Sequence, residues 1–168
     1  WPHAPFVVPD DILNAWRKAG KKGRRFNKAW KTGKLAALPA DKRAEFERRM
    51  KGDLPKALKD AVRAQKQKLA SDATPIATRK ASEAAIAVIA PVVPELVTGS
   101  ADLTGSNNTK VAATPAIAPG QYAGRFVHWG IREHGMAAAI NGMALHGGYI
   151  PSGATFLVFT DYCRPALR

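Results

Sequence analysis

The sequence is poor in cysteine and lacks the common metal and nucleotide motifs. Its 168 residues include one cysteine, Cys163, which excludes an internal disulfide and a cysteine-cluster metal site and fits a reducing compartment. HExxH, GxGxxG and phosphate-loop patterns do not occur, and the four histidines lack metal-ligand spacing with carboxylates. Zinc-peptidase, dinucleotide and P-loop chemistry are therefore not expected.

A signal-peptide pattern is also missing, as is any apolar run near the ~20 residues that cross a membrane. We therefore expect no membrane partner. The chain begins at Trp1 rather than at methionine, which suggests a fragment or a processed chain.

Positive charge is abundant but unevenly spread. Residues 1–70 contain 19 Lys+Arg and 7 Asp+Glu, whereas residues 71–168 contain 7 and 6, so most of the net +13 lies in the first part. A segment this basic suits nucleic acid, an anionic surface or phosphorylated metabolites. Motifs that interleave aromatic and basic residues are absent, and charge runs are usually solvated faces, so nucleic acid is not the favoured partner.

The first part of the chain is predicted to be mainly helical. Residues 1–10 are rich in proline and favour an extended connector, and the aspartates that follow favour a short helix ending near Gly20. The run KKGRR favours a basic turn. Charged, amphipathic helices are predicted around residues 41–50 and 54–69.

The second part alternates between helices and strands. A helix with few charges is predicted from about Thr78 to the prolines at 91 and 94. Strands are predicted in ELVTGSAD, RFVHWG and YIPSGATF, with helices in IREHGMAAAINGMALHGG and LVFTDYCRPAL. This alternation predicts an α/β fold: a partial parallel sheet with flanking helices, preceded by a mainly helical linker.

A single acid lies at the start of a helix with small side chains. Glu133 in HWGIREHGM follows a predicted strand, at the edge where open α/β sheets bind ligands. The alternative is an acid that only offsets the helix dipole. Function is favoured by small residues that would let a ligand approach closely, namely Gly135, Ala137, Ala138, Ala139 and Gly142.

Three further groups are candidates, each with a structural alternative. Phe156, Phe159 and Tyr162 are spaced to share one helix face, as an aromatic wall for a flat heterocycle or as core packing. The polar run 100–107 could hold a ligand or satisfy a turn. Arg79, at a predicted helix start, could grip a phosphate or remain a solvated cation.

Together these segments resemble transketolase, over the whole chain. SADLTGSN, HWGIREHGM and FLVFTDYCRPALR are similar to successive signatures of its pyrimidine-binding domain. WPHAPFVVPDDILNAWR resembles the end of its diphosphate-binding domain, and ATRKASEAAI the first helix after the linker. The resemblance implies that residues 1–73 end the diphosphate-binding domain and form a basic helical linker. Residues 74–168 would then be the N-terminal half of the pyrimidine-binding domain.

The resemblance implies a cytoplasmic thiamine diphosphate enzyme that moves a two-carbon ketol unit from a ketose phosphate to an aldose phosphate. Glu133 would hydrogen-bond N1′ of the aminopyrimidine and favour the tautomer whose N4′ accepts the proton of thiazolium C2. The family's aromatic pocket would be Phe156, Phe159 and Tyr162, with Phe159 as the best stacking residue. Asp102 matches an acid near the cofactor, and Arg79 and Ser106 match ligands of the substrate phosphate.

Parts of the family's site are missing from this sequence. A GDG-type segment holds the cofactor diphosphate and its Mg²⁺ or Ca²⁺ in the family, and no such segment occurs here. The resemblance further implies a homodimer whose site is shared between subunits. We therefore expect this chain to be inactive alone, and poorly soluble because half a sheet leaves an open edge.

Two alternatives remain open at the level of sequence. A sister thiamine enzyme, such as deoxyxylulose-phosphate synthase or a two-component keto-acid dehydrogenase, would share the glutamate and the fold. A non-catalytic basic module that binds phosphate or nucleic acid would instead rest on the charge of residues 1–70.

Overall fold

The computed structural model describes residues 1–167, which form two units, one ending at Phe46 and one beginning at Glu47. The α-helices are α1 (Asp10–Ala29), α2 (Ala40–Lys51), α3 (Ala57–Ser71), α4 (Thr78–Ile89), α5 (Thr104–Asn107), α6 (Glu133–His146) and α7 (Arg164–Leu167). The strands are β1 (Leu96–Ser100), β2 (Phe126–His128) and β3 (Ile150–Pro151). A π-helical turn covers Trp30–Leu35 and a 3₁₀ segment covers Leu157–Cys163.

In the first unit, α1 is longer than the sequence predicts. The helix does not end near Gly20, and KKGRR is not a turn but part of the helix. Isolated glycines cost a helix about 1 kcal/mol each without ending it, and the residues around them are good helix formers. Ile12, Trp16 and Phe26 also recur at helical spacing along this stretch, which supports a continuous helix.

None of the described residues in the first unit is buried. Trp16 is 73% exposed and Phe26 is 67% exposed, so the apolar side of α1 lies largely open within this unit. Trp30 and Phe46 of this unit form an edge-to-face pair, with ring centroids 5.8 Å apart. The first unit thus has helices but no core of its own.

The second unit is built on a three-stranded parallel sheet in the order β2-β1-β3. In the register, Thr98 pairs with Phe126 and Leu96 pairs with Ile150. The central strand β1 is buried along its whole length, as expected for a parallel strand with neighbours on both sides. The predicted α/β class with a partial parallel sheet and flanking helices is confirmed.

The core of the second unit lies between α4 and β1. Ala90, Val93 and Leu96 are its buried members, and Leu58 of α3 packs against them together with Ile86. Hydrophobic burial of this kind is the main source of stability for helices whose own propensity is modest.

No helix within residues 1–167 combines the length and hydropathy needed to cross a bilayer.

Two arginines connect the ends of these elements. The guanidinium of Arg125 donates to the carbonyl oxygens of Ala90, Val93 and Ala113 at 3.0, 2.9 and 2.6 Å, which satisfies groups left free after α4. Arg48 of α2 forms a bidentate ion pair with Glu95, which is 3% exposed. This pair links the end of α2 to the start of β1.

Candidate functional site

The carboxyl ends of the three strands bring most of the candidate residues to one edge of the sheet. Asp102 and Ser106 follow β1, Glu133 follows β2, and Phe156 follows β3. Ligands of open α/β sheets bind at this edge, in the crevice where neighbouring strands connect in opposite directions. Arg79 differs, since it lies in the first turn of α4.

Glu133 is the first residue of α6 and is 7% exposed. The positive end of the helix dipole therefore faces a buried carboxylate, which is favourable. Thr155 donates a hydrogen bond of 3.2 Å to Oε1. Within residues 1–167 no cation forms an ion pair with Glu133, and Oε2 has no hydrogen-bond partner. One carboxylate oxygen is therefore available to a ligand.

A cavity of about 650 Å³ opens beside this carboxylate. Its volume lies in the range of small-molecule sites. Glu133, Phe159 and Tyr162 line it, together with residues of the approach to α6 and of its first turn: Ile131, Arg132, His134 and Gly135. The cavity thus combines an aromatic wall with one buried acid.

The three aromatic side chains form a continuous row. The rings of Phe156 and Phe159 have centroids 5.8 Å apart and planes inclined by 25°, and those of Phe159 and Tyr162 are 6.0 Å apart at 36°. The segment is a 3₁₀ helix rather than the α-helix start that the sequence favours. With three residues per turn, Phe159 and Tyr162 align on one side of this helix, and Phe156 is the extended residue directly before it.

Cys163 also contacts the start of α6. Its thiol donates to the backbone oxygen of Glu133 at a sulfur–oxygen distance of 3.4 Å. Burial raises the pKa of the Cys163 thiol, and the negative charge of Glu133 raises it further. The thiol therefore stays protonated and remains a donor at neutral pH.

In the polar run 100–107, some side chains form hydrogen bonds within the turn and others are exposed. Ser100 is fully buried, and its Oγ accepts hydrogen bonds from the backbone N–H of Leu103 and from Nδ2 of Asn107, both at 3.1 Å. The side chains of Ser100 and Asn107 thus form hydrogen bonds that stabilise the turn. Asp102 is exposed and has φ of 61°, a left-handed conformation that aspartate tolerates better than most residues.

Arg79 and Ser106 are not among the residues that line the Glu133 cavity. Ser106 belongs to the single turn α5 and is partly buried, whereas Arg79 is exposed. The side-chain amide of Asn108, just after α5, contacts α4, with one of its two terminal atoms 3.4 Å from Oε2 of Glu83. The two elements that carry Arg79 and Ser106 are therefore neighbours. Their predicted role in phosphate binding stays a prediction.

Within the described residues, no group of three His, Cys, Asp or Glu side chains lies close enough to hold a metal ion. The part of the site that sequence reasoning missed is Thr155. Its only signal is a hydroxyl in the segment that follows the third strand, at the ligand-binding edge.

Comparisons with known proteins agree in family. A family model described as transketolase, pyrimidine-binding domain, matches residues 74–168. The chain is 52% identical over 168 residues to a transketolase of Rhodobacter capsulatus and 48% identical over 170 residues to one of Sinorhizobium medicae. It is covered completely in both matches, and it spans about a quarter of the length of these relatives.

Solved structures give the same result. Transketolase from Leishmania mexicana is 35% identical with a TM-score of 0.78, over 99% of this chain and 24% of that one. A Pichia stipitis transketolase mutant in complex with fructose-6-phosphate is 32% identical with a TM-score of 0.81, over 99% of this chain and 25% of that one.

Proposed function

This chain belongs to the family of transketolase pyrimidine-binding domains, and on that premise we propose that it supplies one wall of a thiamine diphosphate site. The complete enzyme would transfer a two-carbon ketol unit from a ketose phosphate to an aldose phosphate. The observation that carries the proposal is the buried carboxylate of Glu133 beside an aromatic-lined cavity.

The residues present fit the pyrimidine half of this cofactor. A flat aminopyrimidine ring needs an aromatic surface and a polar anchor. Phe159 and Tyr162 offer the surface, and Oε2 of Glu133 offers an acceptor without a partner in the described part of the chain. Phe156 extends the aromatic row behind Phe159.

When bound, thiamine diphosphate supplies a nucleophilic thiazolium carbon for ketol transfer. Glu133 would hold a proton at N1′ of the aminopyrimidine, since a carboxylate at that atom favours the tautomer in which N4′ is basic. The apolar surroundings of the carboxylate strengthen this hydrogen bond by lowering the local dielectric. The aromatic row would fix the ring plane and keep water from it.

The substrate role is proposed for Arg79 and Ser106, with Asp102 near the cofactor. Arginine matches the fork geometry of phosphate, and Ser106 sits on the neighbouring element. Two Pichia stipitis transketolase structures are complexes with sedoheptulose-7-phosphate and xylulose-5-phosphate, and the chain is 32% and 33% identical to them. Ketose phosphates are therefore the proposed donors.

The remaining parts of the site are proposed to lie outside this chain. These are the ligands of the cofactor diphosphate and of its Mg²⁺ or Ca²⁺, and a partner subunit in a homodimer. We further propose that residues 1–73 end the diphosphate-binding domain and form the linker. A cytoplasmic location is proposed as well, in keeping with the single free thiol.

The test is the Glu133→Gln substitution in a full-length transketolase that contains this segment. Glutamine keeps the size and can hydrogen-bond but carries no charge, so ketol transfer should fall by at least about a hundred-fold while folding is retained. Parallel assays with a ketose phosphate and with pyruvate as donor separate transketolase from its sister thiamine enzymes. Normal turnover by the variant at limiting cofactor would refute the proposal.

A further inference from the structure

We infer that Thr155 is a positioning residue, whose hydroxyl fixes one oxygen of the Glu133 carboxylate so that the other faces the aromatic-lined cavity. The inference rests on the proposed function, because it concerns the same carboxylate. The hydroxyl donates to Oε1 over 3.2 Å.

Glu133 and Thr155 line different cavities. Glu133 lines the cavity of about 650 Å³ that Phe159 and Tyr162 also line. Thr155 lines a second cavity of about 590 Å³, which it shares with Cys163 and residues of α6. The hydrogen bond to Oε1 therefore comes from outside the candidate ligand site and leaves that site open to Oε2.

A threonine is well suited to hold a carboxylate in one orientation. The last torsion of a glutamate side chain is broad, so the carboxylate needs an external contact to define its plane. The threonine hydroxyl has one donor proton, and its β-branched side chain is stiff at χ1. A hydrogen bond to a charged acceptor is also stronger than one between neutral groups.

The backbone on the Thr155 side is fixed by the buried strand β1. Ala154, directly before Thr155, donates to the carbonyl of Gly99 at 3.1 Å and accepts from the N–H of Ala101 at 3.0 Å. On the other side, the Cys163 thiol holds the backbone of Glu133. Donor and acceptor are thus both carried by ordered backbone.

A close approach at Gly153 brings this segment against α6. A Cβ built there would lie 2.4 Å from Cδ1 of Ile140 and 2.8 Å from Sδ of Met136. A side chain there would have to displace the ends of Ile140 and Met136 or move the segment away from α6, the helix that begins with Glu133. Glycine at 153 therefore helps to keep Thr155 within hydrogen-bond distance of the carboxylate.

The test compares Thr155→Val, which removes only the hydroxyl, with Thr155→Ser, which keeps it, in a full-length transketolase that contains this segment. The readout is the rate of hydrogen–deuterium exchange at C2 of bound thiamine diphosphate, followed by proton NMR, together with the dissociation constant of the cofactor. We expect Thr155→Val to slow exchange about ten- to a hundred-fold and to change cofactor affinity much less. Thr155→Ser should stay within a few-fold of the parent.

A Val variant with parental exchange, or a Ser variant as slow as the Val variant, would overturn the inference. Thr155→Ala is a second hydroxyl-free variant in case valine is not accepted at this position, and the same outcomes apply. Glu133→Gln, measured in parallel, separates the two claims. If Glu133→Gln slows exchange and Thr155→Val does not, only the role of Thr155 is wrong; if Glu133→Gln leaves exchange unchanged, the proposed function itself fails.

Discussion

The two units of this chain contrast in where charge and burial lie. Residues 1–46 contain 11 Lys+Arg and 4 Asp+Glu and no buried residue, whereas every buried residue of the described chain lies in the second unit. Seven basic side chains of α1 have no carboxylate partner among residues 1–167: Arg17, Lys18, Lys21, Lys22, Arg24, Arg25 and Lys28. By contrast, Glu133 and Glu95 are single buried acids with specific neighbours.

The exposed basic residues of α1 and the candidate reaction site therefore lie in different units. The +13 net charge invites a binding-module interpretation, yet the features that match a reaction site are one acid and three rings in a nearly neutral region. Exposed, unpaired cations contribute little to stability and little geometric specificity. Four predictions, in order of decreasing size, test this difference.

The largest effect is expected at the buried ion pair of the second unit. Arg48→Met removes the cation and leaves the carboxylate of Glu95 buried without its bidentate partner, which should cost about 3–5 kcal/mol. The free energy of opening can be read from hydrogen exchange of the β1 amides in the full-length protein. The matched control is Arg63→Met, whose exposed pair with Asp60 is expected to contribute less than about 1 kcal/mol. Equal losses in the two variants would contradict the account.

The next effect is expected at Gly99 in the centre of β1. A Cβ there would lie 2.5 Å from Nε1 of Trp129 and 2.6 Å from the carbonyl oxygen of Val127, and a backbone atom in a sheet has little room to move. Gly99→Ala should therefore destabilise the sheet by about 1–3 kcal/mol, which would be measured as faster hydrogen exchange of the β1 amides. Unchanged protection would show that the strand and Trp129 are packed less tightly than described.

Acid should weaken the Arg48–Glu95 ion pair, because it protonates the Glu95 carboxylate. Burial alone would raise the pKa of Glu95, but the hydrogen bonds and charge of Arg48, aided by Arg49, hold this pKa below its ordinary value. The stabilisation is therefore complete above the ordinary glutamate pKa and is lost as the pH falls through the lower, folded-state pKa. Between pH 7 and pH values below about 4, the stability difference between the parent and Glu95→Gln should shrink. A constant difference in thermal unfolding across this range would argue against the pair.

The smallest effect, of opposite sign, is expected in the first unit. Gly20 lies inside α1, and a Cβ there would meet no atom within 4 Å. Gly20→Ala should stabilise the helix by about 0.5–1 kcal/mol, because alanine loses less backbone entropy on folding. Slower exchange of the α1 amides checks this, and faster exchange would mean that the helix is interrupted at residue 20 after all.

Local patterns were sufficient to predict the sheet and the place of the acid. The short strands follow from runs of apolar residues bounded by prolines, glycines and polar turns, and Glu133 follows from a strand that leads into a helix. The same local reasoning was wrong at Gly20 and KKGRR, which lie inside α1. The helix propensity of the surrounding residues outweighs the cost of the glycines there. Local reasoning also gave an α-helix in place of the 3₁₀ segment that aligns Phe159 and Tyr162.

Contacts between distant residues could not be predicted. Thr155 is 22 residues from Glu133, Arg48 is 47 residues from Glu95, and Arg125 is 35 residues from the carbonyl of Ala90 that it caps. No periodicity links such positions, since they meet only after the sheet has set the spacing of its strands. The orientation of the Glu133 carboxylate depends on one of these contacts, so the sequence indicated the acid but not how it is aimed.

The most direct test of the central claim is the ¹⁵N chemical shift of N1′ in isotopically labelled thiamine diphosphate bound to a full-length transketolase that contains this segment. If the Glu133 carboxylate holds a proton at that atom, the signal should show a hydrogen-bonded or protonated N1′ in the parent and move towards the value of the free ring in Glu133→Gln. The same shift in parent and variant, with cofactor bound in both, would contradict the claim.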